Sequence, residues 1–179
     1  MTENFPVVLD ACVLIPMPLA DTLLRLAGRR LYSPKWTDRI MAEVSDNLQE
    51  NFGLTSKQAA YREREIRRHF PEAWVEEYEK LIVSMTNNEK DRHVLAAAVH
   101  ANAELIVTYN AKDFPQTAIA PYSIMVQGPS TFLTTLYQRD PNAVIQCLEE
   151  QAAAINKSVH YVLSRLRINV PRFVDTLQT

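Results

Sequence analysis

Only three glycines occur in 179 residues, and none of them belongs to a glycine-rich phosphate loop or a G-x-S-x-G elbow. Nucleotide-binding and serine-hydrolase chemistries therefore have no support. Cys12 and Cys147 lie far apart, with no CxxC pair and no histidine at ligand spacing, which argues against a disulfide framework or a zinc site. Charge of one sign is also scarce. The formal net charge of -2 gives no global pull toward nucleic acid, so any RNA contact must be made by local basic patches. No window approaches ~18 uninterrupted apolar residues, which predicts no membrane span. The opening MTENFPVVLDACV carries neither a basic leader nor a long apolar core, and predicts a cytoplasmic protein with reduced thiols. What remains is a 47% hydrophobic chain, long enough for one good-sized domain or for a core domain with a helical appendage.

The stretch NEKDRHVLAAAVHANAELIVTYNAKDFP, from Asn88 to Pro115, organises the rest. Asp91 stands at a helix start, and Val94, Leu95, Ala98 and Val99 recur at helical spacing as a buried stripe. Leu105-Ile106-Val107 then reads as a strand covered on both faces. Polar Thr108, Asn110 and Asp113 follow that strand, and the carboxyl ends of strands are where open α/β sheets bind ligands.

Upstream, Phe5 to Leu9 is an apolar run delivering Asp10, which reads either as a sheet-edge carboxylate or as the cap of the next helix. Ala20 to Ala27 is a helix ending near Gly28, and Leu31 to Pro34 is a connector with a short strand. Trp36 to Asn51 forms a helix with Ile40, Val44 and Leu48 facing the core. Glu43 falls near the edge of that face, either a solvated group or a ligand. The next helix carries Lys57, Arg62, Arg64, Arg67 and Arg68, a phosphate grip or an ordinary solvated face. AWVEEYEKLIV is expected to run from an acidic helix into a strand at Leu81 to Val83. Tyr122 to Val126 is expected as the last strand. Past Gly128-Pro129 the chain reads as all-helical, and from Gln151 to Val174 it holds Lys157, Arg165, Arg167 and Arg172 with no acid.

Strands alternating with helices predict a parallel α/β sheet with helices on its faces. Such a sheet gathers Asp10, Asp91 and the Thr108–Asp113 loop at one edge. Converging carboxylates repel and raise one another's pKa, and a hard divalent cation relieves the repulsion. Mg²⁺ or Mn²⁺ suits carboxylate and water oxygens. Two such ions can activate a water and stabilise the leaving oxygen of a phosphodiester.

The order VVLDACVL, MAEV, then KDRHVLAAAVHANAELIVTYNAKDFP resembles the PIN-domain family, specifically the VapC-like toxins of bacterial toxin–antitoxin modules. The resemblance covers roughly the first 130 residues. It implies a PIN-like fold and a Mg²⁺- or Mn²⁺-dependent endoribonuclease that cuts RNA, dimerises with a second copy and is held inactive by a cognate antitoxin. Asp10, Glu43, Asp91 and Asp113 match the family's acidic metal site, and Thr108 and Asn110 match the polar residues supporting it. Related toxins often carry an aspartate where this chain has Asn88, so a fifth acid is absent. Arg62, Arg67, Arg68, Arg165 and Arg167 are the expected RNA contacts. Residues 1–128 are expected to form the nuclease domain, with 129–179 a helical extension similar to that of a subset of these toxins.

Three other readings compete. A processing nuclease outside any toxin pair would share the same acids. A non-catalytic RNA-binding PIN module would keep the fold without the chemistry. An aspartyl phosphomonoesterase would need D-x-D-x-T after the first strand, and Asp10-Ala11-Cys12-Val13-Leu14 does not supply it. His93 and His100, on one helix with no third ligand, are read as structural or surface residues.

Overall fold

The computed structural model describes residues 4–178. The reading of the N-terminus as leaderless rests partly on residues 1–3, outside that range. In chain order the elements are β1 (Pro6–Leu9), α1 (Ala11–Leu14), α2 (Met17–Gly28), β2 (Ser33–Lys35), α3 (Asp38–Phe52), α4 (Ser56–His69) and α5 (Glu79–Ile82). They continue with α6 (Arg92–His100), β3 (Leu105–Val107), α7 (Gln116–Ile119), β4 (Met125–Gln127), α8 (Pro129–Arg139), α9 (Pro141–Ala154), α10 (Val159–Leu166) and α11 (Pro171–Leu177).

The four strands form one parallel sheet in the order β2-β1-β3-β4. Val7, Val8 and Leu9 of β1 and all of β3 are buried, as a parallel sheet covered by helices requires. The chain leaves β1 for β2 on one side and returns to β3 on the other. The carboxyl ends of β1 and β3 thus mark the point where strand order reverses, the usual position of a ligand crevice. Their register pairs Leu9 with Val107, so the next residues, Asp10 and Thr108, emerge side by side.

Local signals explain the longer helices. Thr37 caps α3 by accepting from the Ile40 amide, and Gly53 ends it at φ 68°, a left-handed conformation that glycine adopts without a Cβ penalty. Thr55 and Gln58 form a reciprocal capping box at the start of α4.

The C-terminal helices share the sheet domain's core. Phe132, Leu133, Leu136, Phe173 and Val174 belong to the same hydrophobic cluster as Val7, Val8 and Leu23. Tyr32 and Phe132 meet edge-to-face at 5.0 Å, a favourable aromatic geometry. Helix α9 lies along α2, and buried Gln151 accepts from Thr22 at 2.7 Å while donating to the Pro18 carbonyl at 2.9 Å.

Three expectations are corrected. Leu81 and Ile82 lie in α5, a single helical turn, with Val83 just beyond it, and not in a strand. The segment before them is not an acidic helix. Trp74 bridges to Trp36 as extended chain, with Trp36 N–H donating to Ala73 O at 3.0 Å and Val75 N–H to Trp36 O at 2.8 Å. Those tertiary bonds, with the two indoles packed edge-on, outweigh local helix preference. The last strand also starts late, at Met125, because Ser123 takes a left-handed φ of 56° that no strand continues through.

Candidate active site

Asp10 leaves β1 with its N–H bonded to Val107 O at 3.1 Å, which fixes it against β3. It occupies the N-cap position of α1, yet its side chain caps nothing. Its carboxylate instead accepts from the Thr108 hydroxyl at 2.6 Å and from the Cys12 thiol at 3.2 Å. Thr108 in turn accepts the Asn110 N–H at 2.9 Å, and Cys12 Sγ accepts the Tyr109 N–H at 3.3 Å. Burial, followed by the charge of Asp10, pushes the Cys12 thiol up to about 12, so it remains a neutral donor. Asp10 is only 4% exposed and forms no ion pair with Lys, Arg or His among the described residues. A buried carboxylate served by neutral donors alone carries a large desolvation cost, and a nearby cation would offset it.

Asp91 and Asp113 come to this edge through one turn. Asn88 N–H donates to Asp113 O at 3.1 Å and its Nδ2 to Asp113 Oδ1 at 3.2 Å, while Asp91 N–H donates to Asn88 O at 2.9 Å. Asn88 therefore supplies a donor where an aspartate would add a further charge. Burial, then the charges of Asp10 and Asp113, raises the Asp91 carboxyl above its ordinary range, and Glu43 contributes in the same sense. Asp10, Asp113 and Glu43 are thus each within electrostatic reach of Asp91.

Glu43 is held differently. His93, buried on α6, lies with Nε2 3.1 Å from the Glu43 carboxylate, and Arg39 Nε lies 3.5 Å from the same oxygen. Burial pushes the Glu43 carboxyl up, but the His93 hydrogen bond and the charges of His93 and Arg39 outweigh it, leaving the group below the ordinary glutamate value. His93 Nδ1 has no partner. His93 is thus structural, as expected, and also acts on a candidate site residue. His100 is exposed.

The donor set suits a hard cation: carboxylate oxygens, with neutral hydroxyl, thiol and amide groups around them. No three His, Cys, Asp or Glu side chains among the described residues already stand close enough to form a closed metal cage. Mg²⁺ needs none, since it keeps several waters and takes one or two protein carboxylates. Asp10 and Asp91, which sense each other's charge, are the carboxylates that such an open site would use.

The five predicted RNA-contact arginines are scattered. Arg62 Nη2 donates to Leu14 O at 2.9 Å, which turns it inward. Arg67 pairs with Asp38 and Glu63 and stacks over Trp74 at 3.5 Å. Arg167 bonds Asp175 and Gln178. Arg68 lies 3.9 Å from Glu65, and Arg165 is exposed beside a cavity of about 730 Å³. That cavity, lined by Leu24, Ile66, Phe70, Ile155 and Val162, contains none of the four acids. Exposed Lys112 sits inside the Asn110–Asp113 loop itself. A lone lysine makes no basic cluster in the sequence, and its place between two motif residues is the signal that marks it.

A model of the PIN domain matches residues 6–112, more than half of the chain, ending one residue short of Asp113. The chain belongs to the PIN-domain family. This PIN protein is also similar to a Mycobacterium tuberculosis protein named "Putative ribonuclease VapC50", at 42% identity over 99 residues. That alignment takes in 54% of this chain and 59% of the relative, so it spans little more than half of each. No solved structure matches.

Proposed function

We propose that this PIN protein is a divalent-metal-dependent endoribonuclease that hydrolyses RNA phosphodiester bonds, and that it is the toxin of a type II toxin–antitoxin pair. The observation that carries the nuclease reading is the edge itself. Buried Asp10 has only neutral donors, and Asp91, within reach of its charge, has its carboxyl raised by burial and then by Asp10 and Asp113. Asp10 and Asp91 would hold Mg²⁺ or Mn²⁺, with Glu43 and Asp113 completing the acidic set. When bound, the ion would polarise the phosphate and supply a water of lowered pKa.

The chain's own residues set the geometry. The Thr108 hydroxyl and Cys12 thiol donate to Asp10 and fix the orientation of its carboxylate. Asn88 ties the Asp113 loop to the turn bearing Asp91. Exposed Arg165 and Lys112, with Arg68 beyond its long pairing with Glu65, would meet phosphate, each contact adding salt dependence. Residues 1–128 are proposed as the nuclease unit and 129–179 as its helical extension. The toxin role, an RNA substrate, a cognate antitoxin and a homodimer follow from likeness to the VapC-like proteins. A gene for a small DNA-binding protein beside this one would support that part, and its absence would favour a processing nuclease.

One observation favours the non-catalytic RNA-binding reading: Glu43 is engaged by His93 and Arg39 and is not free in the edge. Incubating the purified protein with total RNA in Mg²⁺, Mn²⁺ and EDTA separates the two. Discrete fragments in metal and none in EDTA are expected. Intact RNA under all three conditions, with RNA still bound, would put the binding module first.

A further inference from the structure

Tyr109 follows Thr108, the residue whose hydroxyl donates to Asp10, and it begins the loop that carries Asn110 and Asp113. It is 43% exposed. Its backbone N–H is held by Cys12 Sγ at 3.3 Å, and its hydroxyl donates to the Asn169 carbonyl at 3.1 Å. The residue is therefore anchored at its backbone, on the Cys12 thiol that donates to Asp10, and at its hydroxyl, while 43% of it stays open to solvent. What sets Tyr109 apart from a singly exposed aromatic is this double anchorage next to the residues that hold Asp10.

The far anchor belongs to the C-terminal helices. Asn169 lies in the turn between α10 and α11, where its own N–H and that of Val170 both donate to Leu166 O, at 2.9 and 2.8 Å. Leu166 and Val170 are fully buried, so the turn is tied to the core. Ile168, next to Asn169, is 67% exposed and adds apolar surface to the same turn. Lys112, in the Tyr109 loop, adds a cation that a phosphate would meet.

We propose that Tyr109 is a fixed stacking platform for one nucleobase of single-stranded RNA, held at the rim of the acidic edge by the turn that joins α10 and α11. The inference rests on the reading of RNA as substrate. A paired helix hides its base faces, whereas an unpaired base presents one that any aromatic ring can take. Because the ring is pinned before RNA arrives, little side-chain freedom is lost on binding. Stacking is sequence-tolerant, so the platform would position the strand and select for single-strandedness without choosing a base. The C-terminal helices then have a role at the site itself, through one carbonyl.

The test is binding of a single-stranded oligoribonucleotide carrying one 2-aminopurine, in Mg²⁺, with every protein also carrying Asp10→Asn to halt cleavage. With the ring intact, the fluorescence is quenched, and Tyr109→Phe retains that quenching. Tyr109→Leu is expected to bind roughly 5- to 150-fold more weakly, the range of aromatic–base stacking, and to abolish the quenching at the stacked position. In turnover without Asp10→Asn, Tyr109→Leu raises KM by that factor and Tyr109→Phe restores it. A Tyr109→Leu protein with a lowered melting temperature but unchanged affinity and quenching overturns the proposal. If Tyr109→Leu does not fold, Tyr109→Trp substitutes: its own added emission is quenched by unlabelled single-stranded RNA, and an unquenched complex overturns the proposal equally. RNA that is bound and stacked by a protein that never cleaves would sink the nuclease reading and leave this one standing. Cleavage with no contribution from Tyr109 would do the reverse.

Discussion

The acidic edge and the seam between α2 and α9 both bury polar side chains, and they treat them in opposite ways. At the seam, Gln151 is nearly fully buried and both ends of its amide are used, on Thr22 and on Pro18 O. Arg29 at its margin reaches both Gln146 and Glu150. At the edge, Asp10 is equally buried but has no cation among the described residues, Asp91 is pushed toward its neutral form, and His93 Nδ1 has no partner among them. A polar network that closes on itself rigidifies a fold. One left open by charge is where a ligand completes it, and perturbed carboxylates cluster at such places.

The largest stability effect is expected at the helical side. Phe173 is fully buried in the shared core, so Phe173→Ala should cost about 3–5 kcal/mol and lower the melting temperature of the whole protein in a single transition. Two separate transitions, with the first 128 residues unaffected, would break the picture of a common core.

His93→Ala tests the edge. It removes the buried partner of Glu43 and should cost about 1–3 kcal/mol. If Glu43 serves the site, cleavage should fall by roughly 10- to 100-fold, as when a group orienting a metal ligand is lost. Cleavage unchanged after correction for the folded fraction would make Glu43–His93 a purely structural pair.

Asp91→Asn gives the smallest effect and an opposite sign. A carboxyl whose folded pKa is raised stabilises the fold at low pH, and that contribution is lost as pH rises through the raised value. At neutral pH in EDTA, ionised Asp91 is therefore a liability. Replacing it with asparagine should raise the melting temperature slightly while abolishing the gain that Mg²⁺ or Mn²⁺ gives wild type. Melting curves against pH, with and without metal, read both signs. A lower melting temperature for Asp91→Asn in EDTA would contradict the repulsion.

Much of the edge was legible because its residues are set by short-range order. A buried strand followed by Asp10, and another followed by Thr108, Asn110 and Asp113, needs only the parallel pairing of β1 with β3 to bring them together. The helical character of the C-terminal third was legible in the same way, from apolar spacing. The pairings distant in sequence were not. Nothing near Glu43 announces His93, and nothing near Tyr109 announces Asn169, because each bond depends on how two elements settle against a common core. Leu81 to Val83 misled because a three-residue apolar run fits a strand or one helical turn equally well. Arg62 reads as a surface cation in sequence, and only the approach of α4 to the end of α1 shows its guanidinium spent on Leu14 O.

The measurement that bears most directly on the central claim pairs Mn²⁺ binding with cleavage of one RNA, for wild type and Asp10→Asn. Mn²⁺ is read by the loss of its free-ion magnetic resonance signal, so binding is scored without reference to activity. The account predicts that wild type binds Mn²⁺ and cuts, while folded Asp10→Asn binds it far more weakly and cuts more than about 100-fold more slowly, the loss of several kcal/mol of charge stabilisation. Near-normal binding and cleavage by Asp10→Asn would contradict it.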